Sequence, residues 1–344
     1  LQKQPALLNK KCLQIIRIFA KTLFQTTPMQ FKDLKLNKPI LRAISEKNYE
    51  IVTPVQEQTI PLVLAKKDVI ASAQTGTGKT AAFALPILQL LFDKQDSGKK
   101  AKKIRALVVS PTRELAIQIE ENFKTYSKYT NLRTTVLFGG ASIEPQKDVL
   151  KKGVDILIAT PGRLLDLHKQ ECVNLSFIET MVLDEADLML DMGFIDDVKK
   201  IERLCPKTKQ ILLFSATMPT QILRLSEDYL KNPKQFLLDA DDLSGEGIDQ
   251  SYLVIKDRDK FKYLLDFIKP VKGQCIVFCS TKYRTRDVQK CLHQEKYDAV
   301  AIEGDMSQHR REQSMAKFRN GKADILVATD IASRGIDVPR VELV

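Results

Sequence analysis

Residues Ala73 to Thr80 read AQTGTGKT. Thr75, Gly76, Thr77 and Gly78 lead into Lys79 and Thr80 at the spacing of a P-loop with alanine at its first fixed position. The run lies between the strand-like DVIAS and the apolar, helix-like AAFALPILQLL, so the strand, loop and helix order argues against a plain glycine turn. Glycines at 76 and 78 let the backbone wrap closely, and its N–H groups then converge on phosphates at a helix N-terminus. Lys79 is placed to reach the β and γ phosphates, and the Thr80 hydroxyl to bind Mg²⁺. A second constellation follows the apolar run Thr180 to Leu183, which leads directly into Asp184, Glu185, Ala186 and Asp187. Carboxylates at the carboxyl end of a parallel strand face the crevice where such sheets bind ligands. Asp184 is placed to hold Mg²⁺, directly or through water, and Glu185 to polarise the water that attacks a γ-phosphate. The chemistry these residues point to is Mg²⁺-dependent hydrolysis of a nucleoside triphosphate.

Such residues need a sheet whose strands all end on one edge. From about residue 68, short β-rich runs alternate with helix-like segments: DVIASA, RALVVS, TTVLFG, DILIAT, TMVLDEAD and QILLFSAT. That alternation predicts an α/β fold, a parallel sheet covered by helices on both faces. It stops at LDADDLSGEGID, an acidic, glycine-containing stretch that reads as a linker. It resumes with QSYLVI, QCIVFCS, DAVAIEG and ADILVATD, predicting a second α/β domain. The expected division is a basic extension over 1–28, a first domain over 29–238, a linker over 239–248 and a second domain over 249–344. Within the extension, KCLQIIRIFAKTLF has apolar residues at roughly helical spacing, but the simplest expectation is a poorly ordered arm. The lysine-rich stretch from Asp93 to Lys103 reads as a solvated loop.

Composition agrees with two ordinary globular domains. The chain has 344 residues, 44% hydrophobic and 28% charged, which excludes collagenous and disordered classes. No apolar run approaches the roughly 18 residues needed to span a bilayer. The net charge of +11 points toward a polyanionic partner, yet Lys3, Lys10, Lys11, Arg17, Lys21 and Lys32 carry much of it in an acid-free start. The body is only mildly basic. Six cysteines include no C-x-x-C pair, so reduced thiols and a cytoplasmic setting are expected.

With D-E-A-D at 184 to 187, the chain resembles the DEAD-box family of ATP-dependent RNA helicases, over residues 31 to 344. The resemblance implies two tandem RecA-like (P-loop NTPase) domains with ATP and Mg²⁺ as cofactors and RNA as partner. Tyr49 and the TPVQ of Thr53 to Gln56 look like the motif in which glutamine reads the adenine edge and the aromatic ring stacks on the base. A glutamine amide presents a paired donor and acceptor suited to adenine. PTRELA at Pro111 to Ala116, with Thr112 and Arg113, resembles an RNA-backbone motif of the first domain. So do Gly139-Gly140 and TPGR, with Thr160, Gly162 and Arg163. Ser215-Ala216-Thr217 looks like the element coupling nucleotide state to RNA binding by hydrogen bonding toward Asp187. In the second domain IVFCS (Ile276 to Ser280), GDMSQHRR and ATDIASRGID resemble family motifs. They imply coupling roles for Gln308 and Arg311, RNA contact for Thr329, and nucleotide contact for Gly335 and Asp337.

Three departures stand out. Asn48 occupies a position usually held by glycine, and Glu303 one commonly held by histidine; both are expected to be tolerated. The family's final motif, H-R-x-G-R-x-G-R, does not occur in the 344 residues. The second domain is therefore expected to be incomplete and RNA-stimulated ATPase of this stretch to be near background. Two activities share these motifs: an RNA helicase separating short duplexes or remodelling RNA–protein complexes, and an ATP-gated RNA clamp. Binding through phosphates and 2′-hydroxyls, largely independent of sequence, is expected in either case. Gln56 and Asp187 argue against a DNA translocase of a neighbouring class.

Overall fold

A computed structural model describes residues 28–73, 76–94, 103–237, 249–329, 338 and 341–344. The extension and the linker expected from sequence lie outside the described residues, apart from Pro28.

The apolar runs of the first half become strands of one sheet, the five central ones buried on both faces and the two edge strands partly exposed. These are β1 (Val69–Ser72), β2 (Ala106–Val109), β3 (Thr134–Leu137), β4 (Ile156–Ala159), β5 (Thr180–Leu183), β6 (Gln210–Ser215) and β7 (Lys234–Leu237). All pairings are parallel, in the order β3-β4-β2-β5-β6-β1-β7. Successive side chains alternate between the two faces. Ala106 and Val108 join one core with Phe83, Phe123 and Phe214, while Leu107 and Val109 join the other with Met181 and Leu213. Phe83 is central to the first core, with its ring 6.2 Å from that of Phe123 and 5.2 Å from that of Phe214.

The second sheet is smaller: β8 (Gln274–Cys279), β9 (Ala299–Ile302), β10 (Ile325–Thr329) and β11 (Val341–Leu343), all parallel in the order β11-β8-β10-β9. Its cores gather around Leu292, Ile325 and Val327 on one face and Phe318 and Leu326 on the other. The expected architecture of two parallel-sheet domains is what the structure shows.

One expected strand is absent. QSYLVI forms no strand, and Tyr252 and Val254 are 89% and 92% exposed. Its β-rich composition is not enough, because a strand needs a ladder partner and no described segment offers one. Strands β7 and β11 were not anticipated; each adds an edge to its sheet. Among the described residues no helix is long and apolar enough to cross a membrane.

Candidate nucleotide and RNA site

Sheet order places the chemistry. Strand β6 is hydrogen-bonded to both β5 and β1, so the P-loop after β1, Asp184 after β5 and Ser215 at the end of β6 emerge side by side. The P-loop base is tied to β6: Ala73 N–H donates to the Ser215 carbonyl (3.0 Å) and Ser72 Oγ to the Ala216 carbonyl (3.3 Å). Gly76 and Gly78 have φ of 83° and 90°, left-handed values that favour glycine. At Gly78 a Cβ would also strike the Gln56 amide nitrogen. Helix Lys79–Asp93 starts immediately after, so Lys79 and Thr80 lie in its first turn.

Lys79 is 7% exposed and Asp184 2%. Among the described residues neither Lys79 Nζ nor Asp184 Oδ1 has a hydrogen-bond partner. Burial pushes the Asp184 carboxyl up; the nearby Lys79 charge and a Glu185 backbone hydrogen bond oppose this, and Asp187 adds to it. Buried, unsatisfied groups of opposite charge beside a left-handed glycine loop are costly unless a ligand satisfies them. A magnesium-bound triphosphate fits: anionic oxygens for Lys79 and the loop amides, a cation for Asp184 and Thr80. Glu185 has φ 54° and ψ 56°, a strained conformation for a non-glycine residue. It caps helix Ala186–Asp191.

Gln56 is buried with its amide engaged locally. Its Oε1 accepts from Thr53 N–H (3.0 Å) and its Nε2 donates to the Gly78 carbonyl (3.1 Å), leaving one donor and one acceptor position on the amide. Tyr49 is 43% exposed and stacks on Phe31, ring centroids 6.3 Å apart. Asn48 has φ 56°. The left-handed turn explains why glycine suits this position and why asparagine, the best-tolerated alternative, replaces it.

The other half of the same edge carries the expected RNA residues. Strands β3, β4 and β2 are consecutive neighbours, so Gly140, Thr160 to Arg163 and Pro111 to Arg113 follow their carboxyl ends in a row. Helices Arg113–Tyr126 and Pro161–Lys169 point their N-termini at this edge, a favourable setting for phosphate. Thr112 caps the first, accepting from Leu115 N–H at 3.3 Å. Gly140 has φ 74°, and a Cβ there would strike the Arg113 guanidinium. Arg163 donates to the Ala141 carbonyl at 3.1 Å. Burial holds the Arg113 guanidinium below the usual arginine range. Gly162 is open to solvent.

Asp187 ties the end of β5 to that of β6. Its N–H donates to Ser215 Oγ (3.0 Å), and its carboxylate accepts from Thr217 N–H (2.9 Å) and Thr217 Oγ1 (2.8 Å). From the second domain, Arg311 Nε lies 2.7 Å from Glu114 Oε1, both side chains largely buried. Gln308 opens the helix carrying Arg311, and Thr329 ends β10. Thr75, Gly335 and Asp337 lie outside the described residues. Glu303 is buried; it accepts from Arg286 Nη2 at 2.5 Å and from Asp305 N–H at 2.6 Å. An ion pair thus accommodates the acid where histidine is common.

The family model for DEAD/DEAH box helicases matches residues 53–225, and that for the helicase conserved C-terminal domain matches residues 259–344. The chain belongs to the DEAD/DEAH box helicase family. It is 44% identical over 316 residues to the ATP-dependent RNA helicase CshA of Limosilactobacillus reuteri, covering 91% of this chain and 62% of that protein. It is 43% identical over 314 residues to the DEAD-box ATP-dependent RNA helicase RhpA of Helicobacter pylori, covering 90% and 62%. The chain therefore spans about three-fifths of these relatives. Among solved structures, a DEAD box protein from Methanococcus jannaschii is 40% identical with TM-score 0.58, covering 90% of this chain and 82% of that one. Saccharomyces cerevisiae Dbp5 bound to RNA and ADP BeF3 is 30% identical with TM-score 0.82, covering 91% and 78%.

Two residues in contact with the candidate site were not singled out from sequence. Phe31 supports Tyr49 from a distant turn, and only its aromatic character marked it. Glu114 was visible inside PTRELA, but no sequence spacing reveals its partner on the other domain.

Proposed function

We propose that this chain is the catalytic part of an ATP-dependent RNA helicase that grips the RNA backbone and uses ATP hydrolysis to open short duplexes or remodel RNA–protein complexes. The observation that carries this reading is the single carboxyl edge on which the triphosphate residues and the helix N-termini for RNA lie adjacent, with Asp187, Ser215 and Thr217 hydrogen-bonded between the ends of β5 and β6. We propose residues 29–238 and 249–344 as its two domains, with 239–248 as linker, and, from free thiols at Cys172, Cys205, Cys275 and Cys291, a cytoplasmic setting.

Mg²⁺-ATP would supply the electrophilic phosphoryl group. Loop amides at 76–80 and Lys79 hold its β and γ phosphates, while Thr80 and Asp184 hold the metal. Glu185 orients and polarises the attacking water at the strand end. Gln56, fixed against Gly78, sets the base relative to the phosphates. Pro111, Thr112, Arg113, Gly140, Thr160, Gly162 and Arg163 take RNA phosphates, and Thr329 adds a contact from the second domain. Gly335 and Asp337 complete the nucleotide contacts. Asp187, Ser215, Thr217, Gln308 and Arg311 relate the two ligands. Backbone recognition of this kind is largely independent of sequence.

The test uses the full-length protein and a short RNA duplex with one labelled strand. ATP-dependent release of that strand supports the helicase reading. RNA-stimulated ATP turnover with no release supports an ATP-gated RNA clamp built from the same residues, and no RNA-stimulated turnover refutes both.

A further inference from the structure

The opposite edge of the first sheet holds a cleft of about 880 Å³. Asp68, Thr180, Gln210 and Lys234 line it at or just before the first residues of β1, β5, β6 and β7. It is therefore a strand length, about 13 Å, from the nucleotide edge. Among the described residues, Lys66, Lys67, Lys94, Lys209, Lys231 and Lys234 line it against two carboxylates, Asp68 and Glu179.

Those carboxylates are already committed. Asp68 accepts from the backbone N–H groups of Ile211 (2.8 Å) and Lys231 (2.7 Å), and Glu179 pairs with Lys94 and with Arg105. Lys209 is used by Glu202 at 2.6 Å, and Lys231 Nζ by the Lys207 carbonyl at 2.8 Å. Lys66, Lys67 and Lys234 are exposed and have no carboxylate partner among the described residues. Gln210 stiffens the floor, donating to the carbonyls of Val63 (3.2 Å) and Lys67 (2.7 Å). Apolar wall comes from Leu90, Leu91, Phe177 and Ile178.

We infer that this cleft docks an acidic segment of a partner protein, its carboxylates on Lys66, Lys67 and Lys234 and its apolar side chains on the Leu90–Phe177 wall. The inference is independent of the catalytic reading. Charge complementarity selects an anion, and two further features select a peptide over RNA. Helices Pro54–Leu64 and Lys79–Asp93 reach this edge with their C-termini, which present carbonyls rather than the N–H groups that bind phosphate. Phe177, the aromatic ring of the wall, carries the Lys103 ammonium 3.8 Å from its centroid. A base would have to displace that ammonium to stack on this face, the contact on which single-strand platforms depend.

The experiment measures fluorescence polarisation of a fluorescein-labelled peptide of alternating glutamate and leucine with the 344-residue chain. Saturable binding is expected that weakens with added salt and falls about ten-fold or more in a variant carrying Lys66→Glu, Lys67→Glu and Lys234→Glu, since exposed pairs contribute up to about five-fold each. Mg²⁺-ATP affinity of that variant should be unchanged. If the triple variant does not fold, Lys66→Gln with Lys234→Gln is used and a smaller loss expected. No saturable binding, equal binding by a folded variant, or equal binding of the peptide with glutamine for glutamate overturns the inference. So does displacement of the peptide by single-stranded RNA in a manner lost with the three lysines, which would assign the cleft to nucleic acid.

Discussion

At the residue scale, the proposed function rests on side chains whose surroundings are unfavourable without ligand. Glu185 is held in a left-handed conformation costing on the order of 1 kcal/mol, and this holds its carboxylate at the strand end beside Asp184. Glu185→Gln keeps that shape and removes the carboxylate, so ATP affinity should persist while RNA-stimulated hydrolysis by the full-length protein falls at least about a hundred-fold. Nucleotide binding and steady-state turnover on one preparation check this. Gln56→Ala should narrow the preference for ATP over GTP, read from the ratio of kcat/KM for the two. Cys205 gives a pH dependence: burial pushes its thiol up to about 12, against an ordinary value of 9.0. The folded state therefore keeps a proton the unfolded chain gives up, so its contribution is full below about pH 9 and lost as pH rises toward 12. Urea unfolding should show about 1 kcal/mol lost between roughly pH 9 and 10, and Cys205→Ala should flatten that slope.

At the element scale, turns place the motifs. The turn after helix Lys38–Ser45 needs a left-handed residue at 48 before Tyr49 can reach Phe31. Asn48→Gly should change stability by less than about 1 kcal/mol, whereas Asn48→Val should cost about 1–2 kcal/mol, because a β-branched side chain clashes at positive φ. Thermal or urea melts of the two variants decide it. The P-loop and the Asp184 strand end were readable because each is a contiguous run flanked by the elements it needs. QSYLVI was misread for the complementary reason: period and composition describe a strand's faces and say nothing of its neighbours.

At the scale of the whole molecule, the two domains meet through Arg311 and Glu114 at 2.7 Å in a largely buried setting. Removing either partner should leave Mg²⁺-ATP binding by the first domain intact and weaken RNA binding in the ATP-bound state. A double-mutant cycle with Arg311→Ala and Glu114→Ala should give a coupling of about 1–3 kcal/mol in RNA affinity. A coupling near zero would mean that the pair does not support the RNA-bound arrangement.

The sequence by itself determined the fold class, the P-loop, the carboxylate pair at the end of β5 and the family, since local spacing encodes each of them. The linker and the basic extension were readable only as composition. Tertiary structure alone decided three matters. Sheet order set β5-β6-β1 beside β3-β4-β2, so that the residues proposed for triphosphate and for RNA share one edge. Long-range contacts paired Asp187 with Thr217, Gln56 with Gly78 and Arg311 with Glu114. Folding also gathered lysines from four separate segments into one cleft on the far side. The physical reason is common to all three: hydrogen-bond registry and burial are fixed between segments distant in the chain, and a local pattern specifies what a segment can present but not what will face it.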